Sequence, residues 1–140
     1  MKRFIHFALL TLLITSLQAQ KTSISNLEVD KLINPIGLDT QNPDFSWVIH
    51  SENYNLNQTH YQVFVATDKI FSNKSLVWDS GKVSSSESVY VKYEGKPLDY
   101  ATKYYWTVKV WTNQSSRPRQ SGIGFWTTGM MNEKQWKSDW

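Results

Sequence analysis

The chain has 140 residues, no cysteine, and 15 lysines and arginines against 12 acids. Disulfides and an acylated lipoprotein anchor are therefore excluded, and the length suits one domain. A charge of +3 without any lysine or arginine cluster offers no track for a phosphate backbone, which argues against nucleic acid as a partner.

Lys2 and Arg3 open the chain, an apolar run extends from Phe4 to Leu17, and small residues end it with Ala19 before Gln20. That is the pattern of a secretory signal peptide, expected over residues 1–19. The run is shorter than the roughly 20 apolar residues of a bilayer-spanning helix, so cleavage is expected rather than anchoring. A cut after Ala19 leaves 121 residues, and the balance falls to +1 because Lys2 and Arg3 leave without an acid. The mature protein is then expected in the periplasm or outside the cell, free of the membrane.

Past the signal, strand patterns dominate. Ile24 to Val29 reads as a first strand anchored by Ile24, Leu27 and Val29. Residues 34–43, with two Asn-Pro pairs and Gly37, read as a loop. Phe45 to Ile49 is a second strand, with Phe45, Trp47 and Ile49 on one face and Trp47 in the core. In the third, His60 to Thr67, the inner set is Tyr61, Val63 and Val65, with Gln62, Phe64 and Ala66 opposite. Asp68 to Ser75 has room for one turn. Leu76 to Asp79 and Ser88 to Tyr93 are shorter strands. The sixth, Lys103 to Thr112, alternates best: Tyr104, Trp106, Val108 and Val110 face one way, and Tyr105, Thr107, Lys109 and Trp111 the other. Gly124 to Thr128 is the seventh.

Seven short strands without intervening helices argue for an all-β, antiparallel sandwich of the fibronectin type III/immunoglobulin-like kind over residues 20–130. A parallel sheet needs crossover helices, for which there is no sequence. Seven Trp, seven Tyr and six Phe supply the core. Each buried ring removes some 150–250 Å² from water, about 4–6 kcal/mol before entropy is subtracted. The segment Leu98 to Tyr104 resembles the turn into the sixth strand of fibronectin type III domains, where a tyrosine bonds backbone at the sheet corner; Tyr104 holds that place.

Catalytic patterns are missing. His50 and His60 without spaced carboxylates fall short of a zinc site, and Ser46 lacks the glycines of a nucleophile elbow. A glycosidase needs two carboxyl groups across a sugar ring. Asp39, Asp44, Asp68, Asp79, Glu87, Glu94 and Asp99 instead sit at turns or strand ends, where aspartate forms turns. No catalytic residue, metal or cofactor is expected.

The aromatic residues carry the one site reading. With the third and sixth strands paired, Phe64, Tyr105 and Trp111 point away from the core, joined from the seventh strand by Phe125 or Trp126. Phe64, Tyr105, Trp111 and Trp126 form the candidate surface. An apolar strip on an outer sheet face marks docking against another domain; stacking of sugar rings is the alternative.

Four motifs carry a family resemblance: Asn34-Pro-Ile-Gly-Leu-Asp39 with Asn42-Pro-Asp-Phe-Ser-Trp47, Val77-Trp-Asp-Ser-Gly-Lys-Val83, Tyr104-Tyr-Trp-Thr-Val-Lys-Val-Trp111, and Phe125-Trp-Thr-Thr-Gly129. In order and spacing they resemble the N-terminal domain of bacterial α-L-rhamnosidases, glycoside hydrolase family 78. Asp44 stands where that family often has a basic residue, and the glycine expected near Asn113-Gln114-Ser115 is missing. The resemblance implies a non-catalytic module ahead of a β-sandwich, a catalytic (α/α)₆ barrel and a C-terminal β-domain. Hydrolysis in that family inverts the anomeric centre and releases terminal rhamnose. The expected partners are thus the downstream domains of a parent enzyme, with glycan as the second candidate. Residues 131–140, with Trp136 and Trp140, read as the start of a linker to a following domain, the chain being a fragment or truncated product.

Overall fold

A computed structural model describes residues 21–130; the expected signal peptide and the linker at 131–140 lie outside the described residues. In chain order the strands are β1 (Ser23–Val29), β2 (Leu32–Ile33), β3 (Asp44–His50), β4 (Gln58–Ala66) and β5 (Leu76–Asp79). There follow β6 (Val83–Ser84), β7 (Val91–Lys92), β8 (Lys103–Thr112), β9 (Ser115–Gln120) and β10 (Gly124–Thr127), with no helix among the described residues. One sheet has the order β2-β1-β3-β7; the larger has β10-β8-β4-β5, with β6 on β4 and β9 on β8. All named pairs are antiparallel. This is the all-β immunoglobulin-like sandwich expected.

Between the sheets lie Val29, Phe45, Trp47, Val63, Trp106 and Trp126, each at most 1% exposed, with Val65, Val108 and Val110. Phe45 is the hub: its centroid is 4.7 Å from Trp106 and 5.5 Å from Trp126. The alternation of β8 places Tyr104, Trp106, Val108 and Val110 inside, as the spacing predicts. In β1 the register shifts between Ser25 and Glu28, where Asn26 has φ 48°. That bulge lets Ile24 and Leu27, three residues apart, both pack on the core.

Three strands of the ten are additional to the seven read from sequence. Asp30 and Lys31 both take left-handed φ, 50° and 67°, as a two-residue primed hairpin turn requires, and so β2 folds back on β1. β6 is a two-residue ladder on β4. β9 is an edge strand with every residue exposed, and Pro118 within it discourages pairing by a further chain. Conversely, only Val91 and Lys92 of the expected fifth strand join a ladder. Tyr90, at φ 57°, breaks it, although Ser88 still accepts the Trp47 N–H at 2.8 Å.

The 34–38 loop covers the other edge of the larger sheet. The N–H groups of Gly37 and Leu38 donate to the Thr127 carbonyl at 3.0 and 2.9 Å, and Thr127 N–H donates to Pro35 at 3.0 Å. Gly37 has φ 78°, a conformation few side chains accept. At the sheet corner the Tyr104 hydroxyl accepts the Asp99 N–H at 2.8 Å, so the expected corner contact forms.

Tyr93 is 2% exposed, meets Trp78 edge-on at 5.1 Å and donates its hydroxyl to the Lys96 carbonyl at 2.6 Å. Burial first, and the neighbouring Tyr104 second, push its phenol up to about 12. A phenol raised above its ordinary value of 10.0 stabilises the fold fully below pH 10, and that contribution is lost as pH rises toward 12. Burial also raises Tyr61 and Tyr104, with the same sign. The expected result is a flat melting temperature up to about pH 10 and a fall between 10 and 12, tracking tyrosinate absorbance. Tyr93→Phe should lower the neutral-pH value and shallow the fall; an unchanged slope would assign the alkaline loss to other groups.

Candidate functional site

The outer face of the larger sheet is set by strand register. On β8, Lys103, Tyr105, Thr107, Lys109 and Trp111 alternate with the core residues. β4 places Phe64 opposite Thr107, Gln62 opposite Lys109 and His60 opposite Trp111. β10 sets Phe125 opposite Tyr105 and Thr127 opposite Lys103. Phe64, Tyr105, Trp111 and Phe125 are each partly buried there.

Trp126 does not belong to this face. It pairs with Tyr104, stacks on that ring at 5.3 Å and is 0% exposed. Neighbouring residues of a strand point to opposite sides, so pairing Trp126 with a core residue sends Phe125 outward instead.

A lysine covers every ring of the face. The ammonium of Lys82 lies 4.6 Å from the Trp111 centroid and that of Lys109 lies 5.2 Å from Phe64. Lys103 sits 4.0 Å from Phe125 and 5.4 Å from Tyr105, which Lys69 approaches to 5.8 Å. Each contact is worth about 0.5–1 kcal/mol at an exposed site, and the aliphatic stems shield apolar surface. Among the described residues the one ion pair is Lys92–Asp44, at 3.5 Å on the smaller sheet. The acid nearest in register, Asp79 opposite Phe64, accepts from Gln62 Nε2 at 2.7 Å and Gly81 N–H at 2.8 Å.

Beside Phe64 the face sinks into a depression of about 330 Å³, lined by Phe64, Lys69, Ile70, Lys109, Gln120 and Ile123 among others. The loop carrying Lys69 and Ile70 is organised by Asp68, whose carboxylate accepts the N–H groups of Ile70 and Phe71 at 2.8 and 3.1 Å and the Ser75 hydroxyl at 2.9 Å. The Ile70 bond is the main cause that holds this carboxyl below its ordinary value. Asp68 and Asp79 thus act as the turn formers that their positions suggest. Lys103 and Lys109 share the parity of Tyr105 and are readable from β8. Lys69 and Lys82 arrive from loops, and no periodicity marks them.

The histidines make local contacts: His50 Nε2 is 2.7 Å from Ser25 Oγ, and His60 Nδ1 is 3.0 Å from Thr59 Oγ1. No group of three His, Asp or Glu among the described residues could hold a metal ion. The smaller sheet carries exposed apolar side chains on or beside it: Ile33, Val48 and Tyr90 are 64%, 41% and 56% exposed, with the Lys31 ammonium 5.4 Å from the Tyr90 centroid.

Fold and surface together define an immunoglobulin-like domain with broad exposed faces. The family is identifiable as well: over residues 24–132 the chain matches, and belongs to, the family described as Rha78A-like, N-terminal immunoglobulin domain. An α-L-rhamnosidase of Formosa agariphila is 39% identical over a 119-residue alignment that covers 80% of this chain and 12% of that protein. The structure of the Streptomyces avermitilis α-L-rhamnosidase complexed with L-rhamnose superposes with a TM-score of 0.79 at 36% identity, covering 84% of this chain and 12% of that one. That of the Dictyoglumus thermophilum α-L-rhamnosidase gives 0.76 at 40% identity, covering 83% and 13%. The chain therefore spans about an eighth of the length of the relatives it matches.

Proposed function

We propose that this domain is the non-catalytic leading module of an exported α-L-rhamnosidase-like glycoside hydrolase, packing against the domains that follow it and stabilising them. The parent enzyme would remove terminal α-L-rhamnose from glycans with inversion. The observation that carries this reading is the family match over residues 24–132, alongside relatives about eight times as long. Two features support a packing role. Asp68 and Asp79 are committed to loop geometry. The smaller sheet leaves Ile33 and Val48 exposed, as a surface covered by a neighbouring domain is.

The test is made on the native gene product. Its coding frame should run on past Trp140, and the secreted protein should carry this domain on a much larger polypeptide that cleaves an aryl α-L-rhamnoside. Deleting residues 20–130 from that protein should lower its melting temperature and leave kcat for the small substrate in place. A stop directly after Trp140 with a stable small secreted product would overturn the reading. So would loss of kcat in a deletion protein that is still folded.

A further inference from the structure

The lysines of the larger sheet are arranged for a ligand rather than for one another. Lys69, Lys82, Lys103 and Lys109 each lie over a ring, and none has a carboxylate within ion-pair distance among the described residues. Two of the four, Lys69 and Lys109, line the 330 Å³ depression beside Phe64. That volume is at the small end of ligand sites, which combine apolar walls with a few polar groups. Here the apolar part is Phe64, Ile70, Phe71 and Ile123, and the polar part is Lys69, Lys109, Thr107 and Gln120.

We infer that this depression, with the ring-and-lysine face around it, binds a glycan bearing carboxylate groups: a chain containing uronate residues. A sugar ring offers C–H groups to the apolar wall of Ile70 and Ile123 and hydroxyls to Gln120, and a uronate adds the opposite charge that Lys69 and Lys109 lack. Along β8, Tyr105 and Trp111 are six residues apart, about 20 Å at the usual rise, so the face accommodates several sugar units in a row. The concavity distinguishes this ligand from an acidic protein surface, which would need a broad flat contact. A polyphosphate backbone is disfavoured by the small net charge of the chain without residues 1–19. This site depends on the fold and the surface alone, so it stands or falls separately from the role proposed above.

The experiment is titration of the folded chain with oligogalacturonides, followed by calorimetry and by amide chemical shifts. The same oligomers with methyl-esterified carboxyls, which keep shape and lose charge, are the comparison. Binding should map to β4, β8 and β10, and should weaken as the screening length drops from about 10 Å at 0.1 M salt to about 3 Å at 1 M. K69Q/K109Q should weaken it by about ten-fold, equivalent to 1.4 kcal/mol, whereas K92Q/K96Q, removing equal charge elsewhere, should not. Lys69, Lys92 and Lys96 are exposed and Lys109 is half-buried, and circular dichroism checks that the variants fold. Equal affinity for the esterified oligomers overturns the inference, as does equal loss in the two double variants. Absence of binding together with protection of this face by a following domain in the native protein overturns it in favour of an interdomain contact.

Discussion

Trp106→Ala is expected to cost about 3–5 kcal/mol, the range for removing a large buried aromatic ring. Trp106 is 0% exposed at the centre of β8, 4.7 Å from Phe45, and Gly124 lies against its indole. The neighbours cannot collapse into the space easily. Phe45 is held by Trp126 as well, and both strands flanking β8 are fixed by ladders. A domain of this size has about 5–15 kcal/mol of stability, so the variant should melt about 15–25 °C lower or fail to fold when expressed. Trp106→Phe isolates the cause. The indole N–H has no hydrogen-bond partner within the fold, so phenylalanine removes an unsatisfied donor while vacating part of the ring volume. It should cost roughly 1–2 kcal/mol, well below alanine. Chemical denaturation followed by circular dichroism reads both values; near-equal losses would mean that the indole nitrogen matters and that packing is not the main term.

The same parity that buries Trp106 made much of the fold legible. β8 declares both its faces because ten residues alternate without interruption, and Tyr104 could be placed at the sheet corner for that reason. Legibility fails where backbone geometry replaces pattern. β2 depends on left-handed Asp30 and Lys31 rather than on an Asn-Gly signal, and β9 is a polar edge strand containing proline. Trp126 was undecidable from its own strand. In a four-residue strand with adjacent Phe and Trp, only the register against Tyr104 determines which ring faces the core. Of the outer surface, Phe64, Tyr105 and Trp111 lie on the expected face. The lysines that change its chemistry from bare apolar to cationic come partly from loops at Lys69 and Lys82. Sequence periodicity carries no information on where a loop side chain comes to rest.

Gln58 is a residue that alternation alone would place outside, and its replacement should be the second most damaging change. Counting back from Tyr61, Val63 and Val65, position 58 falls with Gln62 and Phe64 on the outer face. A register shift between Gln58 and His60 turns it inward instead, to 7% exposure. There its Oε1 accepts the Trp47 indole N–H at 3.0 Å, and its Nε2 donates to the Ser85 and Glu87 carbonyls at 3.1 and 2.6 Å. One amide thus ties the central tryptophan of the smaller sheet to the segment between β6 and β7. Gln58→Leu keeps the approximate size and removes all three bonds. Water can reach the carbonyls of the partly exposed Ser85 and exposed Glu87, but the buried indole N–H is left without an acceptor. The expected cost is about 2–4 kcal/mol, mostly the desolvation of that donor. Because the loss belongs to a pair, adding Trp47→Phe to Gln58→Leu should cost less than the two single changes summed, by about 1 kcal/mol or more. Strict additivity in that double-mutant cycle would sink the account and leave the 85–88 segment, not the indole, as what Gln58 holds in place.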